Sequence, residues 1–307
     1  MNGAVMIDTA IHLLLLLLFP PLLLGVINKT KAFFAGRTGA PLLQPYHEIV
    51  KLFRKDVVLS SSTTWIFRAG PVISLATMLL AGLLVPLGRF EAPISFAGDF
   101  ILFAYLFALG RFFTTTAALD TGSAFEGMGA SREVTFSFLS EPAFFFALLV
   151  LAKEAGSLDL NAMLHGPEGG VRASSLAPMV LVALGLFIVL LAETCRIPVD
   201  DPNTHLELTM VHEAMALDHS GPLFGTILYS SAMKLFILGS VLLHVVAPFG
   251  TGNALFDWAL FCVEMLALAA AIGVLESVMA RLRMRRVPYL LTGALLCCGA
   301  GFTLLVR

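Results

Sequence analysis

Residues 192–215, with the sequence AETCRIPVDDPNTHLELTMVHEAM, form a charged and irregular stretch between two long apolar segments. Its two prolines, Pro198 and Pro202, disfavour helix in the residues that precede them. Asp201 is a suitable cap for a helix that begins near Pro202, and apolar residues then return at helical spacing through Leu206, Met210, Ala214 and Leu217. The stretch therefore predicts a structured polar loop, followed by a new helix, at the edge of a membrane.

The rest of the chain is strongly apolar. Of its 307 residues 58% are hydrophobic and only 13% are charged, and the apolar runs have the length of about 20 residues that crosses a bilayer. The net charge of -2 argues against a nucleic-acid partner. We therefore predict an all-α polytopic membrane protein in which residues 1–307 form a single membrane domain. The first apolar run has no basic residue before it, so it is expected to be a retained span.

The apolar runs predict about eight transmembrane helices. Lys and Arg are concentrated in the loops after the first and seventh spans. By the positive-inside rule, the odd-numbered loops, including the 192–215 stretch, then face the cytoplasm of a prokaryotic inner membrane and both termini face outside. The predicted spans are residues 5–27, 66–87, 97–118, 136–153, 176–194, 223–247, 254–276 and 287–306.

The first cytoplasmic loop contains a second organised segment. Tyr46, Ile49, Val50 and Phe53 fall on one face of a helix and charged residues fall on the other. This pattern predicts a short amphipathic helix that lies in the membrane interface or against a partner. A surface helix that is anchored by basic residues fits the composition equally well. The docking candidates in this loop are Arg37, Gln44, Tyr46 and Lys51.

Ionisable residues occur within several predicted spans. A carboxylate in hydrocarbon is costly unless it is paired, protonated or hydrated, so such residues are candidates for an ion path. The alternative is that they form structural salt bridges between helices. These residues are Arg111, Glu141, Lys234, Glu264 and Glu276. The loop predicted between the third and fourth spans adds four docking candidates, which are Asp120, Glu126, Arg132 and Glu133.

No motif indicates a metal site or a catalytic site in this chain. His205, His212 and His219 are spaced seven residues apart, which is too far to share one ion, and position 216 is Ala216, so H-E-x-x-H is not completed. The four cysteines form no C-x-x-C pair and are expected to be small apolar residues. We therefore predict a conduit or docking platform that has no catalytic residue and no metal of its own.

The charged stretch also resembles a known signature. Glu193, Thr194, Arg196, Pro198, Asp200 and Pro202 spell E-T-x-R-x-P-x-D-x-P, and Glu207-Leu208 follows. This pattern, with Arg132 nine residues before Glu141, resembles the membrane subunit shared by respiratory complex I, as its subunit 1, and the energy-converting nickel-iron hydrogenases. The resemblance extends over essentially the full chain.

Departures from the complex I pattern point to the hydrogenase branch. Asn203 and His205 stand where complex I subunits carry acidic residues, and the first loop is shortened to RTGAPLLQPYHEIVKL. The segments LDTGSAFEGMGASRE at 119–133 and ESVMARLR at 276–283 resemble the family of formate hydrogenlyase subunit 4 and hydrogenase-4 component C.

This resemblance implies a non-catalytic subunit that anchors the hydrogenase large and small subunits and connects them to antiporter-like membrane subunits. A nickel-iron centre and iron-sulfur clusters are expected in those partners, and no cofactor is expected in this chain. Glu193, Arg196, Asp200 and Glu207 would line the cytoplasmic face, and Glu141 with Glu193 would begin an acidic route into the membrane. The ion-path and coupling candidates are Glu141, Glu193, Arg196, Asp200, Asp201, Glu207, Glu213, Lys234 and Glu264.

Two other functions fit the same residues. A quinone-site subunit of a complex I-like NADH or ferredoxin:quinone oxidoreductase would need an apolar tunnel, which the first span and the amphipathic helix could form. A free-standing ion transporter would need to act without partners, and the broad polar cytoplasmic surface argues against it.

Overall fold

The computed structural model describes residues 3–166, 176–201, 210–247 and 252–306, and within these ranges it contains eleven α-helices and no β-strand. Short 3-10 helices occur at Ala214–Ala216 and Met284–Arg286. In chain order the α-helices are α1 (Gly3–Leu18), α2 (Pro20–Phe34), α3 (Gln44–Phe53), α4 (Trp65–Leu84), α5 (Asp99–Asp120), α6 (Ala124–Ala155), α7 (Leu160–His165), α8 (Leu176–Glu193), α9 (Gly221–Val246), α10 (Ala254–Val278) and α11 (Val287–Val306).

The helices form a membrane bundle around α9. Seven helices are long and apolar enough to cross a bilayer, and the bent pair of α1 and α2 gives an eighth span if it is counted as one. Helix α9 is the most enclosed of the candidate spans, because 78% of its most apolar 18-residue stretch is buried. It contacts α2, α3, α4 and α8, while α4 packs along α5, α10 along α2, and α11 against α6 and α8. The predicted all-α polytopic membrane architecture is confirmed.

The predicted first span is broken between α1 and α2. The Pro20–Pro21 pair has no N–H groups to donate to the preceding turn, and the two helix axes bend by 48°. Side chains from elsewhere supply donors at the break. The Tyr229 hydroxyl of α9 donates to the carbonyl of Leu17 at 2.6 Å, and the Tyr46 hydroxyl of α3 donates to the carbonyl of Leu18. The break is thus tied to the amphipathic helix and to the central helix.

The amphipathic helix predicted in the first loop is present as α3. Its C-terminal turn packs on α9 at Gly225, where an added Cβ would lie 3.1 Å from the Cβ of Leu52 and 3.7 Å from the ring of Phe53. On the same helix Val50 is still half-exposed. The apolar face of α3 is therefore shared between the bundle and its surroundings, as expected for an interfacial helix.

Two predicted boundaries were wrong. Residues 124–135 were expected in a loop, but they form the first turns of α6, so the connection after α5 is only three residues long. At about 1.5 Å per residue, this 32-residue helix extends beyond a bilayer core of about 30 Å. Tertiary contacts of its polar N-terminal turns, described below, outweigh the weak helix propensity of its Gly and Ser residues.

The second error concerns the described part of the helix that was expected to begin near Pro202. Residues 202–209 lie outside the described residues, but 210–219 form turns and the short Ala214–Ala216 3-10 helix. The apolar side chains of Met210 and Ala214 are buried as the pattern indicated. The backbone is nevertheless not helical there, because its N–H and C=O groups form hydrogen bonds with the side chains of Glu126, Arg132 and Asp200 in place of helical hydrogen bonds.

Candidate functional site

A cluster of charges lies between α5, α6, α8 and α9, with the buried Arg111 of α5 at its centre and with Glu141 at its exposed edge. The guanidinium of Arg111 pairs with Glu193 at 2.5 Å between Nη2 and Oε1, with Glu133 at 3.4 Å, and with Glu141. Glu133 and Glu141 lie two turns apart on α6, and Glu193 is the last residue of α8. One arginine therefore joins three helices, which suits the fixed fork of donors in the guanidinium group.

Lys234 completes this charged cluster. Its Nζ lies 2.6 Å from Oε2 of Glu193, and the hydroxyl of Ser140 donates to Oε1 of the same carboxylate at 2.8 Å. Glu193 thus accepts from groups on α5, α6 and α9 at once. Three carboxylates and two cations have a formal charge of -1 when all are ionised, so one bound proton makes the cluster neutral. Uncompensated charge is costly in this environment, so the cluster is suited to holding a proton.

Two cavities adjoin the charged cluster. The first has a volume of about 40 Å³ and is lined by polar groups that include Glu133, His212 and Lys234. The second, of about 170 Å³, is largely apolar and is lined by residues such as Tyr105 and Phe144. Arg111 and Glu193 line both cavities. The polar cavity has room for water, which would connect its acidic and basic groups.

The signature sequence forms the C-terminal end of α8, whose last residue is Glu193. Cys195 has a φ of 50°, and the Arg196 N–H donates to Leu191 O at 2.8 Å while the Cys195 N–H donates to Ala192 O at 3.1 Å. This bonding is a Schellman motif with a left-handed residue after the helix, a position that usually carries glycine. Burial raises the pKa of the Cys195 thiol well above its ordinary value, so the thiol is kept protonated and unreactive.

A second group of charges holds the loops together. Glu276 of α10 forms ion pairs with Lys31 of α2 at 2.8 Å and with Arg196 of the signature loop at 3.2 Å. Close by in sequence, Arg281 pairs with Asp200 at 2.7 Å. The Leu282 N–H also donates to the Pro198 carbonyl at 3.0 Å. We call Lys31, Arg196, Asp200, Glu276 and Arg281 the loop cluster.

The segment 210–219 is held against α6 and the signature loop by four contacts. Arg132 donates to the Met210 carbonyl at 2.8 Å and the Val211 N–H donates to Asp200 at 2.8 Å. On the far side of the segment, the Asp218 N–H donates to the fully buried carboxylate of Glu126 at 3.0 Å. At Gly129 of α6 an added Cβ would lie 2.9 Å from the Val211 carbonyl, so the backbones meet closely there.

The structure separates the predicted ion-path and coupling residues into groups. Glu141, Glu193 and Lys234 meet in the charged cluster, and Arg196 and Asp200 belong to the loop cluster. Asp201 and Glu213 are half-buried and each has an interaction partner. Glu207, like His205 and Asn203, lies outside the described residues.

Glu264 is remote from both clusters. It lies twelve residues before Glu276 on α10, a separation of about 18 Å along the helix. There it lines a cavity of about 30 Å³ together with Arg89, His165 and His244. Glu264, which the sequence placed among the ion-path candidates, is therefore not among the groups that contact Arg111, and its role in an ion path stays a prediction.

The docking candidates also occupy different environments. Glu126, Arg132 and Glu133 are on α6 and not in a loop, and Glu133 belongs to the charged cluster. Asp120 accepts the N–H and hydroxyl of Thr64 at 2.6 and 2.8 Å, which joins the start of α4 to the end of α5. The remaining four, Arg37, Gln44, Tyr46 and Lys51, are exposed or half-exposed in the first loop and α3. Their docking role stays a prediction.

Sequence reasoning did not identify several partners. Arg111 stood out as an intramembrane charge but not as the centre of the cluster, and Ser140 did not stand out at all. Lys31 and Arg281 entered the sequence analysis only as basic residues of loops, which the positive-inside rule uses to predict orientation. The available signal was the number of carboxylates at membrane depth, because three acidic residues require cationic partners on neighbouring helices.

The described residues contain no group of three His, Cys, Asp or Glu side chains that could hold a metal ion. His212 and His219 are both in the 210–219 segment but have different surroundings. The ring of His219 stacks on Phe67 at 3.9 Å, whereas His212 lines the polar cavity beside Lys234.

Comparisons with known proteins agree with this architecture. A family model described as "NADH dehydrogenase" matches residues 7–306. Formate hydrogenlyase subunit 4 of Escherichia coli (strain K12) is 30% identical over 288 residues, which cover 91% of each chain. Hydrogenase-4 component C of the same organism is 31% identical over 254 residues, which cover 83% of this chain and 79% of the relative.

A more distant relative and a solved structure extend the comparison. An NADH-quinone oxidoreductase membrane chain of Syntrophotalea carbinolica is 26% identical over 306 residues, with 90% of each chain covered. A chain in the structure of the membrane-bound sulfane sulfur reductase (MBS), an archaeal respiratory membrane complex, superposes with a TM-score of 0.84 at 20% identity, covering 98% of this chain and 99% of that chain. This likeness confirms the fold. The chain therefore belongs to the NADH dehydrogenase family of membrane subunits, in the group of formate hydrogenlyase subunit 4 and hydrogenase-4 component C.

Proposed function

We propose that this chain is the membrane-anchoring and coupling subunit of a multisubunit energy-converting hydrogenase. It docks the hydrogenase large and small subunits on its cytoplasmic face and contacts antiporter-like subunits within the bilayer. The nickel-iron centre and the iron-sulfur clusters belong to the partner subunits. The membrane is the prokaryotic inner membrane, and both termini face outside. In this assembly the chain links the redox reaction of its partners to the movement of protons or sodium ions.

The observation that carries this proposal is the charged cluster around Arg111. Glu133, Glu141 and Glu193 share two cations, Arg111 and Lys234, at the depth of the membrane spans. Because one proton separates the cluster from neutrality, small changes in its geometry or hydration alter the cost of holding that proton. Such a cluster is costly as a purely structural element, since apolar side chains of similar volume would often be as stable.

The connection between Glu193 and the loops supports coupling to a partner. Glu193 ends α8, and the Schellman motif turns the chain directly into Arg196 and Asp200 of the loop cluster. The Val211 N–H is bound to the same Asp200. A partner that shifts the signature loop or the 210–219 segment would therefore move groups that line the polar cavity together with the charged cluster. This is how a redox event outside the membrane could change the proton affinity inside it.

The test uses the native complex, purified in mild detergent through a tag on this chain, and its membrane vesicles. Co-purification of a hydrogenase-like pair and hydrogen evolution from a reduced low-potential donor are expected. In vesicles, with all values normalised to the amount of assembled complex, Glu193→Gln is expected to retain hydrogen evolution while losing most of the ion uptake per hydrogen formed. Glu91→Gln, at an exposed carboxylate in the connection before α5, is the matched control and is expected to behave as wild type. Unchanged ion uptake in Glu193→Gln would contradict the proposal.

A second candidate function is that of a quinone-site subunit in a complex I-like enzyme. The 26% identity to a chain of an NADH-quinone oxidoreductase favours it. A quinone would have to enter from the bilayer between the α1–α2 break, α3 and α9, where the Tyr46 and Tyr229 hydroxyls lie. Quinone reduction by the purified complex, without hydrogen evolution, would support this function instead. A chain that purifies alone and transports ions would support a free-standing transporter.

A further inference from the structure

His212 is a polar residue of the cytoplasmic 210–219 segment that faces the charged cluster. Contacts on either side of it fix its position, because Val211 is bound to Asp200 and Asp218 is bound to Glu126. The imidazole lines the polar cavity of about 40 Å³ beside Lys234, and it is the one histidine among the described residues of that lining.

One ring nitrogen of His212 has no protein partner in the described residues. Its Nε2 is enclosed from solvent and makes no hydrogen bond there. Leaving a buried polar atom unpaired destabilises the folded chain, so this arrangement is not explained by stability. The cavity is large enough for water, which would hydrogen-bond to Nε2 and join it to the other groups that line the cavity.

The charges around His212 control whether it holds a proton. Burial and the positive charge of Lys234 lower its pKa to about 4, and the negative charge of Asp200 opposes this shift. Glu133, Glu193 and Arg111 are the other charged groups that line the cavity. Burial and Lys234 therefore both favour the neutral imidazole. A displacement of Lys234, or of the segment relative to Lys234, would allow Nε2 to bind a proton.

Among the carboxylates of the cavity, Glu133 is the one best placed to receive this proton. Glu193 is already held by Arg111, Lys234 and Ser140 at distances of 2.5–2.8 Å. Within the described part of the chain, Glu133 has one ion pair, at the longer distance of 3.4 Å, with Arg111. Protonation of Glu133 therefore sacrifices a weaker electrostatic interaction than protonation of Glu193 would. The charged cluster becomes neutral when Glu133 holds this proton.

We propose that His212 carries protons between the cytoplasmic 210–219 segment and Glu133 of the charged cluster. In the inward step, the imidazole gains a proton from water on the segment side and becomes imidazolium, and the proton on Nε2 then passes through cavity water to the Glu133 carboxylate. The imidazole returns to its neutral form and no electron is transferred. The proposal rests on the proposed function, since it specifies how the coupled ion reaches the charged cluster when that ion is a proton.

The first test measures protonation directly and does not require ion pumping. The full chain in lipid nanodiscs, labelled with ¹⁵N-histidine, is titrated by NMR, and His212→Gln identifies the resonance. The His212 midpoint is expected at about 4. Lys234→Met is expected to raise that midpoint by about one pH unit or more, because it removes a nearby positive charge. A midpoint that does not respond to Lys234→Met would overturn the proposal.

His219 provides a matched control on the same segment. It too is a buried histidine, but its ring stacks on Phe67 and its Nε2 lies 3.3 Å from the Phe67 carbonyl. Its pKa is lowered by burial and not by Lys234. The His219 midpoint is therefore expected to be the same in wild type and Lys234→Met. A parallel shift of both histidines would indicate a general rearrangement and would count against a specific link between His212 and the cluster.

The second test uses the native complex in membrane vesicles and applies even if Lys234→Met fails to fold. His212→Gln and His219→Gln both remove one imidazole from the segment. His212→Gln is expected to lose most of the proton uptake per turnover while His219→Gln retains it, at equal assembly. Equal uptake in the two variants would overturn the proposal. If wild-type vesicles take up no ions, the proposed function fails, whereas the NMR titration still decides whether His212 is linked to the cluster.

Discussion

The ammonium group of Lys234 lies 2.6 Å from a carboxylate oxygen of Glu193, although the two residues are on different helices and are separated by the whole signature loop. The same carboxylate accepts Arg111 through its other oxygen. Glu193 is therefore the one acidic residue of the charged cluster that bridges both cations. Its position at the end of α8 places this bridge directly before the signature loop.

The first prediction concerns the energy of this pair. Removal of one partner from a buried ion pair leaves an uncompensated charge, at a cost of about 3–5 kcal/mol. We expect Glu193→Gln and Lys234→Met each to destabilise the chain substantially. The double variant is expected to cost clearly less than the sum of the two single variants, because neither charge is then left unpaired. Unfolding in detergent measures this cycle. Additive effects would show that the 2.6 Å contact contributes no coupling energy.

Glu91→Gln serves as the control for the cycle as well. Glu91 is exposed, and substitutions at exposed sites usually change stability by less than about 0.5 kcal/mol. A large effect at Glu91 would mean that the unfolding assay responds to surface charge and not to the charged cluster.

The positions of most spans could be predicted from the sequence because an uninterrupted apolar run of about 20 residues is typical of a helix that crosses a bilayer. The first turns of α6 could not. The segment that contains Gly127, Gly129 and Ser131 has weak helix propensity, and the helix there depends on distant partners. Among them are the Asp218 N–H, which is bound to Glu126, and the Met210 carbonyl, which is bound to Arg132.

The candidate site was predictable in part for the same reason. The cost of a charge in hydrocarbon singled out Glu141 and Lys234 without any structure, and the signature sequence singled out Glu193. The pairing depends on how α5 lies against α6 and α8, so nothing local to Arg111 marks it as the common partner. Glu264 satisfied the same sequence criterion as Glu141, yet it is not part of either cluster. It lies about 18 Å along α10 from Glu276, the residue of that helix that belongs to the loop cluster.

The second prediction is a pH dependence of stability that originates at His212. Its folded-state pKa is about 4 and its ordinary value is 6.5. Between these values the unfolded chain binds a proton and the folded chain does not, so the free energy of unfolding falls as the pH decreases through this window. The contribution of His212 to this slope is at most about 1.4 kcal/mol per pH unit.

His212→Gln is expected to flatten the dependence between about pH 6.5 and pH 4. The measurement is the unfolding midpoint of wild type and variant across this range. His219→Gln removes a second lowered histidine pKa, so the double variant should be flatter still. An unchanged slope in His212→Gln would mean that the imidazole is solvated in the folded chain.

The third prediction concerns the break between α1 and α2. The Tyr229 hydroxyl donates to the Leu17 carbonyl, which the Pro20–Pro21 pair leaves without its helical donor. Tyr229→Phe removes this bond and retains the ring, so a loss of about 1 kcal/mol is expected. Tyr105→Phe is the control, because its ring is 63% exposed. Equal stability of Tyr229→Phe and Tyr105→Phe would show that lipid or water satisfies the Leu17 carbonyl equally well.

The last prediction compares two members of the loop cluster. Glu276 is the common acceptor of Lys31 and Arg196, and its side chain is fully buried, whereas that of Lys31 is 22% exposed. Glu276→Gln leaves the buried Arg196 guanidinium without its carboxylate and is expected to cost about 3 kcal/mol or more. Lys31→Met leaves Glu276 paired with Arg196 and removes a partly solvated ion, so a loss of about 1 kcal/mol or less is expected. Unfolding midpoints of the two variants test this order. A Lys31→Met variant as unstable as Glu276→Gln would mean that Lys31, and not Arg196, neutralises Glu276.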